Sequence, residues 1–472
     1  MRATPAILAV LVLISISCGD KGKPASSLPV EPTTTTPVSV PTPEPGPPLP
    51  AGFPDSVAGR QLAWVIDAIV ARHGMVDATE VEAHFHPSFL AQVPTAQTIE
   101  VFKQLGAQAD DLTVTSVEAD PAGTSLVAKV TAKGEKFKIL LVLDPGATQI
   151  AGLLFQPDIE LGAKPTSIAE AVKTLPTIAP HAQLLLARLD NGACKPLHQV
   201  NAKEQLAIGS TMKLYILLAV ADQIIAGKLT WDTEIPIRDD WKSLPSGITQ
   251  GDPAGTKHTV RTLAERMISI SDNTATDHLL YTVGRKKVEA AVKASRHVKP
   301  ALDIPFLSTR ELFLLKLGLP DDQVERYIKM SAEKRRAFLD KTLAGQQPTL
   351  DGIDAWKDAR RIETLEWFAN SEDLCRLMAA LALRAEKPAA APVLEVMAKN
   401  PGIQIDPKSW PYIGFKGGSE PGVMNLTWLL RRDDHRWYVA TFGFNAPAGQ
   451  LVESKLLGFT TGVLELLGTL DR

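Results

Sequence analysis

The stretch "AIGSTMKLYILLAV", residues 207–220, decides how the chain is read. Ser210 and Lys213 stand at the head of a run in which every residue from Leu214 to Val220 is apolar or aromatic. A helix that is apolar all round lies inside a protein, and Lys213, in its first turn, is drawn inward with it. Desolvation disfavours an ammonium, so a buried lysine finds partners or gives up its proton. At i, i+3 its amine shares a face with Ser210 and can reach that hydroxyl. A helix N-terminus also favours negative charge developing on the oxygen. Those are the conditions of an activated nucleophile. The plainer alternative is the polar start of an ordinary core helix.

Spacing alone does not choose between them. Ser331-Ala332-Glu333-Lys334 repeats the Ser-x-x-Lys pattern in a charged helical stretch, where it carries no chemistry. Two further polar groups bear on the choice. Ser271-Asp272-Asn273, in "MISISDNTATDHLL" (267–280), sits between two segments of helical pattern and by itself reads as a cap or turn. Lys416-Gly417-Gly418, in "GFKGGSEPGV" (414–423), ends a strand pattern and by itself reads as a cationic turn.

In this order the three elements resemble those of the serine β-lactamase and penicillin-binding-protein superfamily. The text "PSGITQGDPAGTKHTVRTLAERMISISDNTATDHLLYTVG" (245–284) is similar to class A β-lactamases almost throughout, and "PFLSTRELFLLKL" (305–317) looks like a later helix of that fold. The resemblance covers about 180–470. It implies an α/β fold, an antiparallel sheet flanked by helices plus an all-helical lobe, with the site in the cleft between. By resemblance, Ser210 attacks a carbonyl carbon, Lys213 takes its proton, and Ser271 relays a proton to the leaving group. Lys416 supplies positive charge near Ser271 and a substrate carboxylate. Asn273, Gly418 and Ser419 lie on the substrate side, and the backbone N–H groups of Ser210 and Ser419 form the oxyanion hole. No metal or cofactor is implied. The implied partner is a β-lactam, ester or peptidoglycan-peptide acyl substrate, met by a monomer.

Three departures stand out. Between Asn273 and Phe306 there is no Glu-x-x-Leu-Asn loop, whose Glu activates the deacylating water in class A enzymes. The expectation is an acyl-enzyme that turns over slowly; a non-catalytic cell-envelope binding protein is the alternative. Gly417 replaces a Thr or Ser whose hydroxyl helps bind a carboxylate, a loss that Ser419 offsets in part. Residues 318–362, charged and helical, are an insertion: a lid over the cleft or a solvated excursion, the latter favoured.

The rest of the chain frames this unit. A length of 472 residues suggests two or three domains, and a net charge of −3 provides no field that would favour nucleic acid. Residues 1–18, one Arg and then a short apolar stretch, read as an export signal. Cys18 stands where a lipoprotein signal is cut and lipidated, although Ser15 departs from the usual Leu. The expected location is extracytoplasmic, either lipid-anchored at Cys18 or periplasmic or secreted. Residues 19–55, rich in Pro and Thr, read as an extended linker. Residues 56–160 read as a small α+β domain, helices first and then an antiparallel meander, resembling the cone-shaped steroid-isomerase-like fold. This two-domain order is similar to that of a serine hydrolase associated with clavulanic acid biosynthesis. His84 and His86 alternate but lack a third ligand and read as structural. Residues 165–472 form the hydrolase-like domain. Cys194 and Cys375 can pair in an oxidising compartment, but two cysteines make no framework, and two buried thiols are favoured.

Overall fold

Alternating apolar residues set the sheet of the first unit. The computed structural model describes residues 49–91, 93–158, 160–244, 246–349 and 356–470, so the export segment, Cys18 and residues 19–48 of the linker lie outside the described residues. The chain divides into two compact units between residues 159 and 160. In the first, helices α1 (Val57–Val70), α2 (Ala78–His84), α3 (Pro87–Leu90) and α4 (Thr95–Gln108) precede strands β1 (Thr113–Ala119), β2 (Ser125–Ala132), β3 (Glu135–Leu143) and β4 (Ile150–Pro157). The strands pair in sequence order as an antiparallel meander. Ile139, Leu141 and Leu143 of β3 are buried in one core with Leu62 and Ile69 of α1 and Phe102 of α4. This is the small α+β unit expected. His84 stacks on Trp64 at 3.9 Å and bonds Gln61 Oε1 at 2.7 Å. His86 caps α3, its Nδ1 accepting from Ser88 N at 3.2 Å.

The second unit begins with α5 (Ile168–Thr174) and a hairpin of β5 (His181–Asp190) and β6 (Ala193–Val200). Its turn residues Asn191 and Gly192 have φ of 49° and 74°, the left-handed pair that a two-residue hairpin requires. Strand β7 (Leu206–Ala207) leads through a 3₁₀ turn, Gly209–Met212, into α6 (Lys213–Ile225). Short strands β8 (Glu234–Pro236) and β9 (Lys257–Thr259) come next, then α7 (Val260–Ser269), α8 (Asn273–Val283), α9 (Arg285–Ala294) and α10 (Thr309–Phe313). Helices α11 (Asp321–Ile328) and α12 (Ala332–Phe338), strand β10 (Phe368–Ala369), α13 (Ser371–Ala385) and α14 (Pro392–Ala398) complete the helical part. Strands β11 (Tyr412–Glu420), β12 (Val423–Arg431) and β13 (Trp437–Asn445) and helix α15 (Glu453–Thr469) close the chain.

The main sheet is antiparallel, in the order β11-β12-β13-β5-β6, so the first and last strands of the unit meet at its centre. Its two faces follow the period of two. Leu184 and Leu186 join Trp428, Phe442 and α15 in one core, whereas Leu185 and Ala187 join α6 and α13 in the other. Every residue of α6 from Lys213 to Ala221 is buried, as its all-apolar sequence demands. The sheet with its helical lobe is the fold the resemblance implied.

Two expectations fail. Cys194 and Cys375, expected as free thiols, are joined in a disulfide. Helix α13 packs against the sheet beside β6, bringing the two Cα atoms to 6.3 Å, within bridging range, across 181 residues of sequence that conceal the approach. The insertion, favoured as a solvated excursion, is docked instead. Val324 and Tyr327 of α11 and Leu339 and Leu343 after α12 enter the main core, and Arg336 pairs with Glu289. Exposed charged residues such as Asp321, Asp322 and Glu325 of α11 and Glu333 of α12 face outward from these helices. Ser331 there caps α12, accepting from Lys334 N at 3.4 Å, a structural use of the repeated Ser-x-x-Lys spacing.

Candidate active site

Two glycines bring the nucleophile turn and strand β11 into backbone contact. A Cβ at Gly418 would lie 2.1 Å from Ile208 O and 2.6 Å from Ser210 N, and a Cβ at Gly209, where φ is +50°, would lie 3.1 Å from Ser419 N. No side chain fits at Gly418. The absence of both Cβ atoms sets the Ser419 backbone beside the Ser210 turn. Strand β11 is an edge strand, so alternate N–H groups on its outer side have no ladder partner. Ser210 is half-buried and Ser419 exposed.

Lys213 is completely buried, at 0% exposure. Its Nζ donates to Ser271 O at 2.6 Å, Asn273 Oδ1 at 2.6 Å and Ser271 Oγ at 3.0 Å. Burial pushes the amine down to about 7, with the negative charges of Asp272 and Asp277 pulling the other way. Lys416 approaches from β11, its Nζ donating to Ser271 Oγ at 3.1 Å and to Gly417 O at 2.6 Å. Burial, and then the neighbouring Lys213 charge, holds Lys416 well below the usual lysine range. The Ser271 hydroxyl thus stands between two desolvated amines.

Ser271 is held in a left-handed conformation, φ +57°, that costs a non-glycine residue about 1–3 kcal/mol. The surroundings enforce it. Its carbonyl accepts from Lys213 and from Ser246 Oγ at 2.7 Å. Asp272 caps α8 through Ala275 N at 2.8 Å and holds the 248–249 loop through Ile248 N, Thr249 N and Thr249 Oγ1 at 2.7–2.8 Å. The cap reading of this motif is correct for Asp272, while its neighbours face the site. Asn273 Nδ2 donates to Leu244 O at 3.1 Å, leaving Oδ1 for Lys213. Behind it, Asp277 accepts from Thr309 N and Arg310 N at 2.8 and 2.9 Å and so fixes the start of α10. Burial raises this carboxyl to about 7. Ser246 and Asp277 were not singled out from the sequence. Ser246 lies in a quoted stretch, but nothing local marks a serine whose partner is 25 residues away.

The structure brings Ser210, Lys213, Ser271, Asn273, Lys416, Gly418 and Ser419 to one place. Lys213 directs its hydrogen bonds to the 271–273 loop and not to Ser210. The 271–273 loop offers three acceptors, and an ammonium has three N–H groups to satisfy. Among the described residues no carboxylate hydrogen-bonds to Ser210, Lys213, Ser271 or Lys416. At Gly417 a Cβ would lie 2.9 Å from Phe415 Cζ, so the ring occupies the room a Thr or Ser would need.

A helical lobe against an antiparallel sheet, with a serine and two buried lysines at the seam, is the architecture of a serine hydrolase. This unit is similar to the serine β-lactamases: residues 168–402 match the model of the Beta-lactamase enzyme family. Residues 53–148 match the model described as ORF 12 gene product N-terminal. Among solved structures, PBP-A is 15% identical, with 65% of this chain and 97% of that one covered at a TM-score of 0.42. A β-lactamase from Sphaerobacter thermophilus DSM 20745 is 19% identical over 65% and 99%, at 0.43. A β-lactamase from Xanthomonas campestris pv. campestris str. ATCC 33913 is 16% identical over 65% and 97%, at 0.44. No curated protein matches the chain.

Proposed function

We propose that the second unit is an extracytoplasmic serine hydrolase that forms an acyl-enzyme on Ser210, acts on β-lactam, ester or peptidoglycan-peptide carbonyls, and turns β-lactams over slowly. The observation that carries this reading is the meeting of two buried lysine amines at Ser271 Oγ, at 3.0 and 3.1 Å. A neutral Lys213 has two N–H groups and a lone pair. It keeps its two short bonds to Ser271 O and Asn273 Oδ1 and offers the lone pair as base. An amine near 7 is matched to neutral pH, and catalytic hydrogen bonds commonly tighten only with substrate bound. As Ser210 Oγ bonds to the carbonyl carbon, its proton passes to Lys213 and the carbonyl π pair moves onto oxygen. The N–H groups of Ser210 and Ser419 receive that oxyanion, each such donor being worth about 3 kcal/mol. Collapse breaks the bond to the leaving nitrogen or oxygen, which takes a proton from Lys213 through Ser271. Lys416 supplies positive charge throughout.

That no carboxylate among the described residues bonds to Ser210, Lys213, Ser271 or Lys416 supports slow deacylation, because water attack then lacks a ready base. The Cys194–Cys375 disulfide, together with the export-like residues 1–18, supports an oxidising, extracytoplasmic location. A lipid on Cys18 would be the membrane link of an otherwise monomeric protein. Gly417 and the lack of that carboxylate partner among the described residues also favour a second reading, a non-catalytic cell-envelope binding protein. Intact-mass spectrometry after exposure to a penicillin, a cephalosporin and an activated aryl ester separates the two. The hydrolase yields a penicilloyl adduct that persists and a measurable ester turnover. No adduct and no turnover would leave only the binding role.

A further inference from the structure

A second buried charged group lies at the far end of the same strand. Lys316, just beyond α10, donates from Nζ to Glu366 Oε1 at 2.6 Å and to Glu420 Oε1 at 2.5 Å. The side chains of Lys316 and Glu366 are 0% exposed, that of Glu420 7%. Glu366 Oε2 accepts from Trp367 N at 3.1 Å, Arg360 holds the Lys316 carbonyl at 3.1 Å, and the Trp356 ring lies 5.6 Å from the ammonium. Burial, and then the Glu366 charge, pushes Glu420 well above the usual carboxylate range. Stability alone does not account for such a trio, since buried ion clusters are often matched or bettered by apolar side chains.

Its position suggests a use. Lys416, Gly418 and Glu420 alternate on one face of β11. Lys416 ties the strand to Ser271, Gly418 rests on Ser210 N, and Glu420 is gripped by Lys316. As an edge strand, β11 has ladder bonds on one side only. The two anchors hold the strand from one face, on either side of the Gly418–Ser419 backbone. We propose that Glu420, gripped by Lys316 and Glu366, is a positioning residue that fixes the Gly418–Ser419 backbone over Ser210 and thereby the oxyanion-binding geometry. The proposal rests on the acyl-enzyme reading above.

Glu420→Gln in the full chain keeps the size of the side chain and an oxygen for Lys316 but removes the carboxyl group that Lys316 grips. A misplaced oxyanion donor costs rate rather than binding, so the acylation rate constant on an activated aryl ester falls about 10- to 100-fold. KM stays within about twofold. Affinity for phenylboronic acid, whose tetrahedral adduct on Ser210 places an oxygen in the same site, falls by a similar factor. The triple variant Lys316→Met, Glu366→Gln, Glu420→Met guards against a folding artefact: it melts at or above the wild-type temperature and shows the same kinetic loss. Wild-type acylation and boronate affinity in folded Glu420→Gln overturn the proposal, as does a loss confined to KM. If the wild-type protein itself neither acylates nor takes the boronate, the hydrolase reading has failed and this proposal falls with it.

Discussion

Lys213→Met acylates about 10²–10⁴-fold more slowly than the wild-type protein on an activated aryl ester, the range that a positioned general base supplies. Met fills a similar volume in α6, whose residues around position 213 are all buried. The variant removes an amine that burial already strips of its proton near neutral pH, so the desolvation cost of a charge disappears with it. It also leaves Asn273 Oδ1 without its Lys213 donor, at about 1–3 kcal/mol for a buried group left unsatisfied, whereas Ser271 O keeps the Ser246 hydroxyl. The protein folds with a lowered melting temperature, and pre-steady-state acylation reads the chemical defect separately. Wild-type acylation by a folded Lys213→Met protein would remove Lys213 as the base.

Ser210→Ala loses the penicilloyl adduct altogether, and ester turnover falls by about 10⁴-fold or more, as when a nucleophile is deleted from a site that acts as a unit. The melting temperature stays unchanged. Ser210 Oγ makes no hydrogen bond with any described residue and is half-buried, so its removal orphans nothing. Ser331→Ala, the same substitution at the other Ser-x-x-Lys, deletes only a helix cap: stability drops by about 1 kcal/mol and the adduct forms as before. Mass spectrometry of the two variants side by side checks both. An adduct of undiminished yield on Ser210→Ala would place the nucleophile elsewhere.

Much of this was legible because each polar group sat against an informative background. The all-apolar run after Lys213 announced a buried helix, and burial of that helix commits its lysine to the interior. The Asn-Gly pair at 191–192 announced its hairpin, since both positions need left-handed backbone. What stayed hidden is long-range. The Cys194–Cys375 bond and the Lys316–Glu366–Glu420 trio join elements far apart in sequence, and no local pattern marks their meeting. The insertion misled for another reason. Its charges dominate the text, while four apolar residues at helical spacing, Val324, Tyr327, Leu339 and Leu343, decide that it docks. Like the disulfide and the trio, the partners of Lys213 are hidden by sequence distance, since i, i+3 spacing puts its amine within reach of Ser210 but does not show the competing acceptors of another loop.

The central claim is that burial turns Lys213 into a base at neutral pH. The direct measurement is the acylation rate constant of the wild-type protein from pH 5 to 10, by stopped flow, with an uncharged activated ester. A lysine lowered to about 7 sheds its proton as pH rises through that value, so the active form is present above it and lost below. The rate climbs with pH, levels above about 8, and at pH 5 lies roughly 100-fold under the plateau. A flat profile across this range, or a midpoint near that of an ordinary lysine, with Ser210 still acylated, would contradict the account.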